Sequence, residues 1–510
     1  MRVTNNMIMG NTKSNINAAK VLVDKYNTQM TIQKKISKAS EDPVIAIRSL
    51  RLSTSLTHID QYVDNNIPDA NSWLDVTETA LKNMKSLLTD IRTQCVNGST
   101  DTLTSDDRNT ILKQLTALSE QVYTEGNADY AGRTVFTGYR TSSNLTFMKD
   151  SKSTYEITQE FTADDLSEKR YYTDGVTVPS TVSANTANCT TDVKEYSYQR
   201  LRLGYGGTTG DVSLTIDGNS VENNPNFHKY ENVSDFDPSM LGDDDIAYIQ
   251  ESGEFIFGKN VSASMKDNNS SVSVTYVKTG FDASDARPEY YYNCKDITDA
   301  ITLDNSDNIV RDANGNIDYK DTSKIVNYEL SNQEIKYTVA SNTDITVNTQ
   351  AKDVMDTGIK RDVDELIDVV QNAINAHDKV SQIEDMMKEA QYSDKDSQAK
   401  LQTYLDAAKQ EADYADHNLQ KTYSQYITRF DDHMNKVNLA LTNSGSTQSR
   451  LTLIQNRVEE QQTTIEDLKS SNEDRDISDI IIDFYAMYNA YQSSLTAASK
   501  ANSQTLLDYL

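Results

Sequence analysis

The side chains best suited to metal ligation or nucleophilic attack are five histidines and three cysteines, and their spacing supports neither chemistry. His58, His228, His377, His417 and His433 occur singly. A zinc hydrolase helix needs His-Glu-x-x-His to put two imidazoles on one face, and no such pair is present. Cys95, Cys189 and Cys294 are an odd number, far apart and without Cys-x-x-Cys, so they propose neither a disulfide framework nor a zinc site. The run Gly204 to Gly210 is glycine-rich but misses the dinucleotide and P-loop spacings, and reads as a turn between strands. Asp312 to Asp318 superficially suggests a calcium loop. Its glycine falls at the fourth position rather than the sixth and no Glu closes it, so an Asn-Gly hairpin turn is the better reading. No Gly-x-Ser-x-Gly elbow occurs. The expectation is a protein that is not an enzyme and takes no cofactor and no metal.

The spacing that does carry information is apolar. Ile477, Ile481, Phe484, Tyr488, Tyr491, Leu495 and Ala498 recur at intervals of four and three close to the C-terminus. Such a stripe at the end of a chain calls for a cover from outside the body. A weaker stripe, Ala18, Leu22, Tyr26, Gln29, Gln33 and Ile36, lies in the first 40 residues, and half of it is polar or small. A helix with so thin an apolar face is marginal in isolation.

Between these ends the pattern changes twice. Asp42-Pro43 is a helix start, with a capping carboxylate followed by a proline whose missing N–H costs nothing in the first turn. Trp73, Thr77, Ala80, Met84, Leu87 and Ile91 then run at 4-3-4-3-4 up to Asn97-Gly98, and Ile111, Leu115, Leu118 and Val122 form a third stripe. From about Arg133 to Gly138 onward, Gly and Asn-Gly punctuation and alternating runs such as Ser271 to Val277 predict β-hairpins. Helical pattern resumes near Asp353, where Leu451, Ile454, Val458, Gln461, Ile465 and Leu468 hold a 3-4-3-4-3 spacing, and the stretch Ser470 to Arg475 breaks the register. The expected fold is mainly α plus β: an elongated antiparallel helical bundle or coiled coil built from both chain ends, with a β-rich domain inserted in the middle. The expected divisions are an assembly helix over 1–40 pairing with 471–510, a helical domain in two halves over 41–147 and 350–470, and an outward-facing insert over 148–349.

The 510 residues carry a formal charge of −28, which argues against a nucleic-acid partner. The charge is uneven. Residues 1–50 hold eight Lys/Arg against three Asp/Glu, whereas residues 146–345 hold 17 against 34. No run of 18 apolar residues exists, so no membrane insertion is expected. The opening Met1 to Gly10 lacks the apolar core and cleavage site of a secretory signal, which by itself points to the cytoplasm.

Five fragments, in order at both ends, resemble the flagellin family: Met1-Arg-Val-Thr-Asn5, Lys38 to Leu52, Asn127 to Gly138 with its Gly-Arg-x-x-Phe-x-Gly exit, Gly445 to Arg457, and Leu506-Leu-Asp-Tyr-Leu510. Asp476 to Asp479 sits at the family's acidic step into its last helix. Asp42-Pro43 and the last five residues are more similar to the members that join hook to filament than to filament subunits. The sequence departs from the family in a short Lys-x-Ser before Glu41 and in the large insert. The resemblance implies a structural adaptor of the bacterial flagellum, exported through the type III apparatus without a cleaved signal, which moves the expected location to the extracellular hook–filament junction. Implied partners are copies of the chain itself, a second hook-associated protein on the hook side, flagellin on the filament side, and a cytosolic export chaperone on the C-terminal region. The implied assembly surface comprises Ala18, Leu22, Tyr26, Ile36, Ile477, Ile481, Phe484, Tyr488, Tyr491, Leu495, Leu506, Leu507 and Leu510. Two other readings compete, a flagellin-like filament subunit and a surface- or carbohydrate-binding role for the tyrosine-rich insert. For Tyr290, Tyr291 and Tyr292, cross-strand aromatic packing is the plainer alternative.

Overall fold

The structure is a computed structural model. It describes the chain except residues 1–4, 101–102, 174–175, 183–192, 211, 223, 305–308, 312–316 and 504–510, and the side chains of 5–6 and 501–503. Leu506, Leu507, Leu510, Cys189 and most of the Asp312 to Asp318 turn thus lie outside the described residues. The chain divides into two compact units, one of residues 1–71, 337–345 and 448–510, the other of 72–336 and 346–447.

In the first unit, α1 (Asn5–Ile32) and α9 (Ile477–Ser503) pack against each other, and α2 (Pro43–Gln61) lies along the last turns of α8 (Lys395–Glu473). The Asp42 side chain accepts from the N–H groups of Val44 at 2.9 Å and Ile45 at 3.2 Å, with Pro43 at the first helical position, as that dipeptide predicts. The helix that carries the Trp73 to Ile91 stripe, α3 (Ile67–Gly98), has Pro68 in its first turn and is continuous with α2 through a π-turn, Tyr62–Asn66. Proline removes one ladder hydrogen bond and its ring presses on the carbonyl four residues back. The wider π-turn, in which the Ile67 N–H donates to the Tyr62 carbonyl, accommodates both. The strands β14 (Lys336–Ala340) and β15 (Thr343–Thr346) form a hairpin whose Thr338 carbonyl accepts from the Asn66 amide.

The second unit contains a helical bundle of α3, α4 (Ser105–Glu125), α7 (Gly358–Lys388) and α8. Cross-helix pairs give the directions: Arg92–Asp431 and Asn83–Glu125 from α3, Arg108–Asp416 from α4, and Lys379–Glu411 between α7 and α8. The Trp73 to Ile91 stripe is wholly buried, as are Ile111, Leu115 and Val122, while Leu118 is half-buried. Period-3.5 spacing along neighbouring helices closes a shared seam, and these stripes fill it. Gly98, at the end of α3, leaves no room for a side chain, because a Cβ there would stand 2.6 Å from the Tyr423 ring. Thr104 and Asp107 cap α4 reciprocally.

The exit from the bundle explains the Asn127 to Gly138 motif. The Asn127 side chain accepts from the Leu145 N–H at 2.7 Å and donates to Thr146 Oγ1 at 2.9 Å. A tight hairpin of β1 (Asp129–Tyr130) and β2 (Arg133–Thr134) turns on Ala131 and Gly132, both at positive φ. Arg133 lies over the Trp73 ring, and the carbonyl of buried Phe136 accepts from Ala351 at the start of the short α6 (Ala351–Val354). The outgoing and returning strands of chain are thereby tied together at the base of the insert.

The insert holds two principal sheets. One is six-stranded, ordered β13 (Val326–Tyr328), β12 (Asn293–Asp296), β3 (Ser151–Thr162), β11 (Ser271–Phe281), β6 (Ser213–Ile216), β7 (Asn219–Ser220), and every pair is antiparallel. The other is five-stranded, ordered β4 (Ser167–Tyr172), β5 (Glu195–Arg202), β10 (Glu254–Phe257), β9 (Ile246–Ile249), β8 (Phe227–Tyr230), with β8–β9 parallel. Alternating residues of β3, β5, β9, β10 and β11, including Ile157, Leu201, Tyr248, Phe255, Val274 and Tyr276, form a common core. One helix, α5 (Lys259–Asn268), lies within the insert where only strands were expected; Asn269 at φ 48° closes it in the left-handed region.

Candidate functional site, an assembly interface

The pairing of the two chain ends begins at a clasp. α1 stops at Ile32, and Gln33 takes φ 55°, turning the backbone so that the Lys35 N–H donates to Glu473 O at 2.7 Å and the Arg475 N–H donates to Gln33 O at 3.0 Å. Lys34 reaches Glu473 at 3.1 Å and also pairs with Asp474. Arg475 donates to Gln29 Oε1 at 2.9 Å, stands 5.5 Å over the Tyr26 ring and pairs with Asp483. Gln29 is 3% exposed, so its amide is satisfied inside the clasp by Lys35 O and Arg475. The Asp474 hydrogen bond raises the Lys34 ammonium, and Lys34 lowers the Asp474 carboxyl in turn. Burial alone would push Glu473 up; hydrogen bonds from Ser49 and Lys34 outweigh it and leave the carboxyl below its usual range. Because the end of α1 meets the beginning of α9 here, the helices run antiparallel.

From the clasp the two helices share a seam. Thr12, Ile16, Ala19, Val23, Tyr26 and Met30 of α1 are half-buried at spacings of 4-3-4-3-4. On α9 the same spacing is kept by Ile480, Phe484, Met487, Tyr491, Ser494 and Ala498, where Ile480 is fully buried and the others half-buried. Phe484 also stacks on Tyr488 within α9. A pair of helices covers each other on one side only, so burial stops at half for most of the seam.

The residues singled out from sequence fall into three groups. Tyr26, Phe484 and Tyr491 are seam residues, and Ile36 is half-buried beyond the end of α1. Ala18, Leu22, Ile477, Ile481, Tyr488 and Leu495 are exposed. Leu506, Leu507 and Leu510 lie outside the described residues. Val21, Ile32, Ile482 and Tyr485 are exposed as well, with Val21 at 68%, Ile482 at 65% and Tyr485 at 59%, so the pair keeps many apolar side chains outside its seam. Exposed large apolar side chains in this number call for a cover. Sequence reading missed Ile16, Ala19, Val23 and Met30 because the 18-22-26 series steps by four and drifts around the helix. The 3-4 alternation through Tyr26 was the available signal. The clasp had no sequence signature, since it joins residues far apart in the chain.

Elsewhere in the first unit, Val44, Ile47 and Leu50 of α2 and Leu453 and Leu468 of α8 are exposed. A groove of 500 Å³, lined by Lys35, Ile45, Arg48, Leu52, Leu468, Ser471 and Asn472, lies among them. Along the predicted α8 stripe, Leu451, Ile454 and Val458 are buried, Ile465 is half-buried, and Gln461 and Leu468 are exposed.

In the second unit a buried ion network holds the insert to the bundle. Arg200 and Arg202 of β5 pair with Glu254 of β10 and with Asp362 and Glu365 of α7, and Arg429 and His433 of α8 reach Asp362 at 3.2 and 3.3 Å. His433 thus serves a structural network, and His377 pairs with Asp416 across two helices. Among the described residues no group of three or more His, Cys, Asp or Glu is placed to hold a metal ion, and no described helix is long and apolar enough to cross a membrane. Tyr290 and Tyr291 are buried and Tyr292 donates or accepts with Thr357, so this triplet packs inward and does not offer the ring surface considered for ligand binding.

Residues 3–141 match the bacterial flagellin N-terminal helical region and residues 427–510 match the bacterial flagellin C-terminal helical region. The chain is 28% identical to flagellar hook-associated protein 3 of Escherichia coli over 120 residues, 23% of this chain and 38% of that protein. It is 25% identical over 144 residues to the Salmonella typhimurium protein of the same name, 28% of this chain and 45% of that protein. The matched stretch therefore spans less than half the length of either relative. A putative flagellar hook-associated protein from Vibrio parahaemolyticus overlays with a TM-score of 0.36 and 13% identity, covering 85% of this chain and all of that one, an overlay too loose to decide anything. Both helical ends of this chain, brought together by the clasp and seam, thus match helical regions of the flagellin family, the N-terminal region at one end and the C-terminal region at the other.

Proposed function

We propose that the chain is a structural component of the flagellum that joins hook to filament, and that it assembles through the α1–α9 pair. The observation that carries this reading is the exposure of Leu22, Ile477, Ile481, Ile482, Tyr485, Tyr488 and Leu495, apolar side chains that the seam leaves uncovered. Burying it against neighbouring copies at roughly 25 cal/mol per Å² would offset the cost of ordering two thin helices. Before assembly the ends stay largely unfolded, so folding is coupled to binding and premature polymerisation is avoided. The partners are copies of the chain, a second hook-associated protein on the hook side, flagellin on the filament side and an export chaperone on the C-terminal region. The protein leaves the cell through the type III apparatus without a cleaved signal and acts outside it. Its role is structural, not catalytic, and the acidic insert of 148–349 faces outward.

Similarity to two proteins named hook-associated protein 3 favours the junction over a filament subunit. The test replaces Ile482 and Tyr485 by Asp in the full chain. The doubly substituted protein should fold, be exported and fail to join the flagellum. Normal incorporation would show that these two exposed side chains are not part of the assembly surface. Seeded growth of the unaltered protein into long filaments would favour the filament-subunit reading.

A further inference from the structure

The groove of 500 Å³ in the first unit is built from two helix faces. Ile45, Arg48 and Leu52 lie at i, i+3 and i+7 on α2, and Leu468, Ser471 and Asn472 at i, i+3 and i+4 near the end of α8, so each set shares one face. Lys35, from the clasp, completes the lining. Ile45, Leu52 and Leu468 make part of the groove apolar, and Leu468 is 53% exposed. Its charge is of one sign, since Lys35 and Arg48 line it and no carboxylate does. The Lys35 ammonium donates to the carbonyls of Ser471 and Asn472, whereas the Arg48 guanidinium has no hydrogen-bond or ion-pair partner among the described residues. An apolar groove beside an unmatched guanidinium fits an apolar segment that carries a carboxylate.

The chain itself carries such a segment. Residues 504–510, Gln-Thr-Leu-Leu-Asp-Tyr-Leu, hold three leucines, a tyrosine and one acid, Asp508, with no base. They lie outside the described residues, but the helix before them limits how far they reach. α9 runs 27 residues from the clasp, about 40 Å at 1.5 Å per residue. Seven residues span at most about 25 Å when fully extended. The groove adjoins the clasp through Lys35 and Asn472, at the opposite end of α9 from Ser503. A chain's own tail therefore falls short of its own groove by about 15 Å, and the tail of another copy is under no such limit. We propose that residues 504–510 of one copy dock in the α2–α8 groove of a second copy, leucines against Ile45, Leu52 and Leu468, and Asp508 against Arg48. Groove and tail are different surfaces, so the contact is head-to-tail and builds a ring or a helical row instead of a closed dimer. The inference rests on the reading that the chain assembles with copies of itself, and names the surfaces by which one copy holds the next.

The test uses flagella from cells whose one copy of the gene encodes the full chain with Ser471→Cys, Thr505→Cys and Cys189→Ser. A disulfide needs Cα atoms within about 7 Å, so brief oxidation should join the groove cysteine of one copy to the tail cysteine of the next. Dimers, trimers and longer species should appear on a non-reducing gel, and either cysteine alone should give at most dimers. A shifted monomer band alone would place the tail in its own groove, and incorporated protein without longer species would place it elsewhere; each overturns the proposal. A second measurement needs no cysteine. Arg48→Glu and Asp508→Lys should each lower incorporation by about tenfold, and the two together should restore most of it. Rescue separates docking from export, because Arg48→Glu has no means of repairing an export defect; a pair no better than the single variants would overturn the proposal. Absence of the unaltered protein from flagella would sink the assembly reading as well, whereas its presence without longer species or rescue sinks this inference alone.

Discussion

Replacing Asp362 by Asn removes the charge at the centre of the network that fastens the insert to the bundle. Asp362 has no exposed surface, and the Arg202 side chain facing it is only 6% exposed. Burial would push this carboxyl up, but Arg202, then Arg429 and His433, outweigh burial and hold it well below the usual carboxylate range. Asn keeps the shape and loses the charge, leaving Arg202 with Glu365 at 3.2 Å as its remaining anionic partner. Stranding half of a buried pair costs about 3–5 kcal/mol, whereas replacing both partners by apolar residues of similar volume is near neutral. Asp362→Asn should therefore destabilise the second unit by about that amount, and Asp362→Leu with Arg202→Met by much less. Trp73, the one tryptophan of the chain and fully buried in this unit, reports unfolding in urea by its fluorescence. The sign of the pH dependence follows from the depressed pKa. The carboxylate's contribution is complete above the unfolded value of about 4 and is lost as pH falls toward the folded one. At pH 3 the gap between wild type and Asp362→Asn should have narrowed by about 1 kcal/mol. A loss below about 1 kcal/mol at pH 7, or a gap that widens in acid, would refute this account of the network.

Three further outcomes follow from packing. Burial pushes the Cys95 thiol up to about 12, so in a Cys189→Ser background it should resist alkylation at pH 8 in the native protein and react fully in urea; native reactivity would show that the α3 seam opens. Ile480→Ala, in the seam, should weaken the docking of α9 on α1 in the assembled protein by about 2–4 kcal/mol, read by hydrogen exchange, and unchanged protection of α9 would show that the seam does not hold it. Gly98→Ala should lower the stability of the second unit by about 1–3 kcal/mol, because its Cβ would meet the Tyr423 ring, and an unchanged melt would show that the ring moves aside freely.

How much the sequence disclosed depended on the range of the interactions involved. The Trp73 to Ile91 stripe and the Asp42-Pro43 start are local patterns, and both took the form their spacing implied. Ser271 to Val277 likewise became the first part of β11. The terminal pair was legible as apolar periodicity, but its rotation was not. An apolar face wider than one seam, Ile477 to Ala498, leaves open which edge meets α1, and contact with α1 through Ile480 and Met487 decided it. The clasp and the ion network could not be read in advance, since Lys34–Asp474 and Arg202–Asp362 join residues brought together only by the complete fold. The Tyr290 to Tyr292 run left a packing and a binding reading open, because tyrosine serves a core as readily as a surface, and burial took the plainer one.

The central claim, that this chain joins hook to filament, is tested most directly by deleting its gene and examining both the cell surface and the medium. The account predicts intact hooks without filaments and flagellin released into the medium. Filaments of normal length and strength on the deleted cells, with no flagellin released, would contradict it.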